Sequence, residues 1–209
     1  MGYPEVRGHN DHSTTSFTPR FILSERLIHW STAVCFVTLL LTGSLLYFPA
    51  LAPVVGDRGL IVEVHIYAGF LVLLPLVLAM IYSPSYSELR LRLLELGTWS
   101  EADRDWLKRR MKVDGPSNGR FNAGQKLNGA FFLSSLIAMC LTGLVMGLYI
   151  PLPLSARQGA TFLHDIGFYL MTIVFLGHIF MVIRHRGSFS EMTFGKESPK
   201  LEHRVAKRQ

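Results

Sequence analysis

Four long apolar runs limit what this chain of 209 residues can fold into. Each run contains 22 to 24 residues and lacks Lys and Arg. A helix rises ~1.5 Å per residue, so each run reaches ~33 to 36 Å, slightly more than the ~30 Å hydrocarbon core of a bilayer. The pattern predicts one all-α domain over 1–209, an integral membrane four-helix bundle. The apolar runs cover 27–48, 60–82, 127–150 and 161–183.

Residues that flank these runs set the predicted limits of the helices. Asp57 should cap the second helix, and Pro75 should kink it. The segment 84–121 has mixed charges and an amphipathic spacing of Leu and Trp, which predicts short surface helices or an ordered loop docked on a partner. No internal repeat is evident. We predict helices at about 19–48, 59–83, 122–150 and 156–186, with polar tails at 1–18 and 187–209.

The net charge of +6 is distributed unevenly along the chain. Of the 21 Lys and Arg, all but Arg58 and Arg157 lie outside the two short loops that follow the first and third runs. By the positive-inside rule, both termini and the central loop are cytoplasmic. The basic excess therefore indicates membrane topology rather than binding of nucleic acid. Residues 1–20 are polar, unlike a cleavable signal peptide.

Four of the eight histidines lie within or at the edges of the apolar runs. A polar side chain in lipid is costly, so each is a candidate functional residue, although a lone histidine could equally form an interhelical hydrogen bond. Their depths define two levels, an inner level near the predicted cytoplasmic side and an outer level. The inner level contains His29 and His178, and the outer level contains His65 and His164.

The spacing of the two histidines in the fourth run supports a common function. Fourteen residues separate His164 from His178, which is nearly four helical turns, so both imidazoles leave one face ~21 Å apart. Pairing by depth joins His65 with His164 and His29 with His178. Two facing neutral imidazoles can hold a flat iron porphyrin by both axial positions, so the bundle is predicted to bind two haems b. Bis-histidine ligation leaves no open iron site, which favours electron transfer over oxygen chemistry.

Three sequence motifs resemble the cytochrome b (gamma) subunit of respiratory membrane-bound formate dehydrogenases over roughly residues 20–196. The motifs are Glu25-Arg26-x-x-His29-Trp30, the stretch Gly-Arg-Phe-Asn-Ala-Gly-Gln-Lys-Leu-Asn over 119–128, and His164 and His178 followed by a basic residue and Gly187-Ser188. The Phe-Asn-Ala-Gly-Gln-Lys stretch is the most specific of these motifs. The histidine pattern is shared with cytochromes b of hydrogenases and thiosulfate reductases.

The resemblance implies a multi-pass protein of the bacterial inner membrane that holds two haems b and reduces menaquinone or ubiquinone. It implies iron ligands at His29, His65, His164 and His178, and quinone contacts at Asn122, Gly124, Gln125 and His178. The implied partners are an iron–sulfur (beta) subunit and a molybdenum or tungsten catalytic (alpha) subunit, which carries the formate-oxidising site.

Alternatives remain open at each level of this interpretation. Asn122 and Gln125 have the spacing of a capping box, which is compatible with a quinone site. A hydrogenase or thiosulfate reductase cytochrome b is the nearest alternative, and a haem-free proton transporter with a histidine relay is one of another class. Three basic residues could bind propionates of the inner haem, although positive-inside flanking explains them equally well. These residues are Arg20, Arg26 and Lys126.

Overall fold

The computed structural model describes residues 21–82, 86–108, 121–147, 152–184 and 186–195. Within these residues the chain is α-helical, with one short 3-10 helix, Pro49–Val54, in the loop that follows the first span. Four helical segments are long and apolar enough to cross a membrane, as the sequence predicted. They are α1 (Leu23–Tyr47), the broken pair α2 (Arg58–Leu71) and α3 (Leu74–Tyr82), α6 (Ala123–Gly147) and α7 (Leu154–Arg184).

The first helix, as described, begins at Leu23, and the predicted start at residue 19 lies outside the described part of the chain. Phe21 and Ile22 are not helical, and the Glu25 carboxylate accepts the backbone N–H of Ile22 at 2.9 Å. A carboxylate in the first turn satisfies a backbone donor that has no partner in the helix, so it stabilises the start of α1 at Leu23.

The second span is broken, as Pro75 predicted. Leu71 ends α2 and Leu74 begins α3, because proline lacks an N–H and its ring clashes with the preceding turn. The Thr32 hydroxyl of α1 lies 3.4 Å from the carbonyl oxygen of Val72 and donates to it within this break. At the other end, the Asp57 carboxylate accepts the N–H of Leu60 at 3.1 Å and caps α2 as expected.

Two further helices, α4 (Tyr86–Gly97) and α5 (Glu101–Lys108), form the described part of the central segment. Both contact the first half of the third span. A buried ion pair between Lys126 and Asp103 fastens α5 to α6, with Nζ and Oδ2 2.9 Å apart. The amphipathic prediction for this segment therefore corresponds to helices that pack on the bundle.

A short helix, α8 (Arg186–Phe194), replaces the beginning of the predicted tail at 187–209. The Arg26 guanidinium of α1 donates to the carbonyl oxygens of Met192 and Thr193 at the end of α8. A cation suits the negative end of a helix dipole, so this contact holds α8 against α1. This contact joins residues 166 positions apart in the sequence, so the pattern of residues 187–194 alone does not predict it.

The core of the bundle contains one buried residue from each span. They are Phe36, Val72, Leu136 and Met171. Phe36 packs against Phe132 and Phe175 with ring centroids 5.6 and 5.2 Å apart. Many outward apolar side chains are exposed, for example Val34 at 65% and Phe180 at 62%, as expected for a surface covered by lipid.

Candidate functional site

The histidines at the outer level, His65 of α2 and His164 of α7, face each other across the bundle. Their ring centroids are 6.4 Å apart and their planes meet at 67°. We call them the outer pair, after the topology predicted from the sequence.

The histidines at the inner level, His29 of α1 and His178 of α7, form a second pair. Their ring centroids are 6.3 Å apart with an interplanar angle of 57°. The structure thus brings together the same partners that depth along the predicted helices had paired. We call these two residues the inner pair.

Both spacings fit one iron atom between two imidazoles. A ring nitrogen binds a first-row metal at about 2.0 Å and lies about 1.1 Å from the ring centroid, so two opposed ligands have centroids about 6.2 Å apart. The observed values are 6.3 and 6.4 Å.

The number of donor groups also suits a porphyrin. Among the described residues there is no group of three or more His, Cys, Asp or Glu side chains that could hold a free metal ion. Each pair offers two nitrogen donors, which matches a haem iron whose other four positions are filled by the porphyrin.

Two threonines that sequence reasoning missed support the outer pair. The Thr42 hydroxyl of α1 lies 2.8 Å from Nδ1 of His65, and the Thr142 hydroxyl of α6 lies 2.9 Å from Nδ1 of His164. Each threonine therefore bonds Nδ1 of its histidine and leaves Nε2 as the nitrogen available to a metal.

A glycine follows each of these threonines and lets the imidazole approach the helix. A Cβ atom at Gly43 would lie 3.3 Å from Cε1 of His65, and one at Gly143 would lie 3.4 Å from Cε1 of His164. The signal was present in the sequence, since Leu-Thr-Gly occurs at 41–43 and again at 141–143. This tripeptide thus gives the two halves of the outer pair equivalent contacts.

The inner pair has aromatic neighbours instead. Trp30 lies against His29 with ring centroids 5.5 Å apart, and Phe132 lies 6.3 Å from His178. Trp30 in turn contacts α8, where its Nε1 donates to the carbonyl oxygen of Met192 at 3.4 Å. Helix α8 is therefore part of the support of the inner pair.

The aromatic core lies between the two pairs. Met171 is seven residues from both His164 and His178, about 10 Å along α7 from each. The buried layer that contains Phe36 and Met171 thus separates the two levels.

The residues implied in quinone binding lie at the start of α6. Asn122 and Gln125 form the capping box, in which each side chain accepts the other's backbone N–H at 2.9 and 3.1 Å. A Cβ atom at Gly124 would lie 3.1 Å from the indole of Trp106, so α5 covers this helix start. His178 contacts Phe132, which is seven residues, about 10 Å, beyond Gln125 along α6.

The three candidate propionate contacts have different positions. Arg26 is hydrogen-bonded to the end of α8, and Lys126 is 5% exposed in its ion pair with Asp103. Arg20 lies outside the described residues. The charged groups of Arg26 and Lys126 are therefore both already bonded to protein atoms.

Four apolar spans with two opposed histidine pairs define a class of protein, the membrane cytochromes that hold haem between helices. The family model for prokaryotic cytochrome b561 matches residues 20–195. The chain therefore belongs to the prokaryotic cytochrome b561 family and is a multi-pass membrane protein of a family that binds haem b.

A curated relative from Haemophilus influenzae has a more specific name, the cytochrome b556 subunit of formate dehydrogenase. The two sequences are 24% identical over 183 residues, which cover 81% of this chain and 72% of the relative. This similarity agrees with the resemblance found in the motifs.

Proposed function

We propose that this chain is the two-haem membrane subunit of a formate dehydrogenase-type complex and passes electrons to a quinone. The observation that carries the proposal is the equal spacing of the two histidine pairs, 6.4 Å in the outer and 6.3 Å in the inner pair. With a haem b in each pair, the chain would provide two one-electron iron centres on a path across the membrane.

The four histidines would serve as axial ligands in two couples. Helix α7 would supply one ligand to each couple, because His164 and His178 leave the same face ~21 Å apart. The remaining ligands would come from α2 and α1, as His65 and His29. Two ligand levels on a single helix would then have a fixed distance between them.

Quinone would be reduced near the inner pair, at the start of α6. Asn122, Gly124 and Gln125 lie there with Trp106, and an indole beside a glycine is a suitable surface for a flat ring. The first backbone N–H groups of a helix have no intrahelical acceptor. The capping box uses those of Asn122 and Gln125 and Ala123 is fully buried, so the Gly124 N–H would be the donor for a quinone carbonyl. Of the two ligands on α7, His178 would be the nearer to this site.

The partners proposed are an iron–sulfur subunit, which would deliver electrons at the outer level, and a molybdenum or tungsten subunit that oxidises formate. The name of the Haemophilus influenzae relative and the motif over 119–128 support this choice over a hydrogenase or thiosulfate reductase complex. With both termini in the cytoplasm, electrons would move inward and contribute to the membrane potential, at ~2.3 kcal/mol per charge and 100 mV.

Haem content and the reduced-minus-oxidised visible spectrum of the purified chain test the proposal. We expect two haems b per chain in the wild type and one in His178→Ala, which removes a ligand of the inner pair only. His203→Ala is the matched control, because this histidine lies outside the four apolar runs and the variant should keep both haems.

A colourless wild-type protein would contradict the haem proposal and favour the histidine-relay transporter. Retention of both haems by His178→Ala would contradict the assigned pairing.

The donor requires a separate measurement on native membranes that contain the assembled complex. Formate should reduce both haems of the wild type, hydrogen should not reduce them, and thiosulfate should not oxidise the reduced haems. Reduction by hydrogen and not by formate would show that the chain is a hydrogenase cytochrome. The proposal that the histidine pairs bind haem would still stand.

A further inference from the structure

Each threonine hydroxyl at the outer pair lies within hydrogen-bonding distance of two backbone carbonyl oxygens and one histidine nitrogen. The Thr42 hydroxyl lies 2.7 Å from the carbonyl oxygen of Thr38 and 2.8 Å from Nδ1 of His65. The Thr142 hydroxyl lies 2.9 Å from the carbonyl oxygen of Ala138 and 2.9 Å from Nδ1 of His164.

The single proton of a hydroxyl decides the direction of these hydrogen bonds. A carbonyl oxygen can only accept, so when the Thr42 hydroxyl donates to Thr38 only its oxygen is left for His65, and Nδ1 then donates to it. The same reasoning applies to Thr142 between Ala138 and His164. In this arrangement both outer imidazoles carry their proton on Nδ1 and present the lone pair of Nε2.

We infer that Thr42 and Thr142 are positioning residues that hold the outer imidazoles in the metal-binding tautomer and lower the reduction potential of the haem between them. The inference rests on the proposed function in that it requires a haem in the outer pair. It concerns the electronic effect of hydroxyl groups that do not touch the iron.

The direction of the effect follows from the charge on the ligand. An imidazole that donates its N–H to an oxygen becomes a stronger electron donor through its other nitrogen. A stronger donor stabilises the ferric state, which has one more positive charge than the ferrous state. The reduction potential of a haem with two such ligands is therefore lower than without the hydroxyls.

The inner pair has no equivalent support among the residues that the structure describes. His29 and His178 contact Trp30 and Phe132 through their rings, and neither accepts or donates a hydrogen bond to a described hydroxyl. The difference makes the outer haem the weaker oxidant of the two, other influences being equal. Electrons would then move downhill from the outer to the inner level, which is the direction that quinone reduction at the inner level requires.

A redox titration of the purified haem-loaded protein tests this inference with Thr42→Val and Thr142→Val. Valine keeps the branched shape and removes the acceptor oxygen. We expect an increase of about tenfold in the ratio of reduced to oxidised outer haem at a fixed ambient potential, which equals ~59 mV for one electron. The inner haem should keep its potential, and both haems should remain bound.

Three further variants make the measurement specific. Thr42→Ser retains the hydroxyl and should restore the wild-type potential. Thr172→Val is the matched control, because Thr172 bonds the carbonyl oxygen of Phe168 at 2.7 Å and has no histidine partner. The titration repeated in His178→Ala, which should keep the outer haem alone, assigns the shifted transition to the outer pair.

Two bound haems with unchanged potentials in both valine variants would overturn the inference and leave the proposed function intact. An absence of haem from the wild type would instead contradict the proposed function. If valine removes the outer haem, Thr42→Ala and Thr42→Ser form the test. A higher potential with alanine than with serine supports the inference, and equal potentials contradict it.

Discussion

The outer and inner histidine pairs have nearly the same spacing but different surroundings. Ring centroids are 6.4 Å apart in the outer pair and 6.3 Å apart in the inner pair. Threonine hydroxyls bond both outer rings, whereas tryptophan and phenylalanine rings contact the inner ones. The spacing is thus independent of the chemistry that surrounds the imidazoles.

The two pairs also depend on different parts of the chain. The outer pair is built from neighbouring spans, in which the repeated Thr-Gly of α1 and α6 faces the histidines of α2 and α7. The inner end relies on helices outside the spans, since α8 contacts Arg26 and Trp30 and α5 is fastened to Lys126. The contacts around the outer imidazoles thus come from the spans alone, whereas the surface helices add contacts at the inner end.

The largest expected effect comes from removing one ligand of each pair, and it shows which pair exchanges electrons with quinone. His65→Ala and His29→Ala should each reduce the haem content from two to one and abolish formate-driven quinone reduction in the complex. Quinol added from the acceptor side should still reduce the haem that His65→Ala retains, because the inner pair is intact. The same quinol should not reduce the haem that His29→Ala retains.

Stopped-flow absorbance of the purified variants checks this prediction, with His203→Ala as the control that reacts like the wild type. Equal reduction of the remaining haem in both histidine variants would show that quinol reaches the outer pair directly. This result would contradict the proposal that quinone is reduced at the inner pair.

The next effect in size concerns the attachment of α5 at the inner end. Lys126→Met leaves the Asp103 carboxylate, which has no exposed surface, without its cation. Removal of one partner of a buried ion pair costs about 3 to 5 kcal/mol, so α5 should separate from α6. Thermal unfolding in detergent and proteolysis within 101–108 measure the change, and the outer haem spectrum should stay constant.

Lys108→Met is the matched control for this prediction. Lys108 and Asp105 are 3.8 Å apart with side chains 77% and 58% exposed, so their separation should cost less than about 1 kcal/mol. If both lysine variants have the same stability, the buried pair does not hold α5 in place.

The sequence was sufficient for the features that depend on one helix at a time. Long apolar runs identified four spans, Pro75 marked the break in the second, and the spacing of His164 and His178 was fixed by helical periodicity. Pairing of histidines followed because depth in a bilayer is set by distance from the helix end. These inferences required no knowledge of the neighbouring helix.

Contacts between different helices could not be predicted from apolar runs and residue spacing. Thr42 can be recognised as a partner of His65 only when the rotation of α1 against α2 is known. The Lys126–Asp103 pair joins residues 23 positions apart, and a carboxylate in a polar segment gives no sign of burial. Helix α8 was missed for the same reason, because its polar sequence has little apolar periodicity and its contacts lie on α1.

The smallest expected effect tests whether the glycines of the outer pair matter apart from the threonines. Gly43→Ala places a Cβ atom 3.3 Å from Cε1 of His65, close enough to shift the ring by a few tenths of an ångström. We expect both haems to remain, with a change in the outer haem potential smaller than that of Thr42→Val and a destabilisation of about 1 kcal/mol. Gly159→Ala is the control, because a Cβ atom there would meet nothing within 4 Å. If Gly43→Ala shifts the potential more than Thr42→Val does, ring position rather than the hydrogen bond distinguishes the outer pair from the inner one.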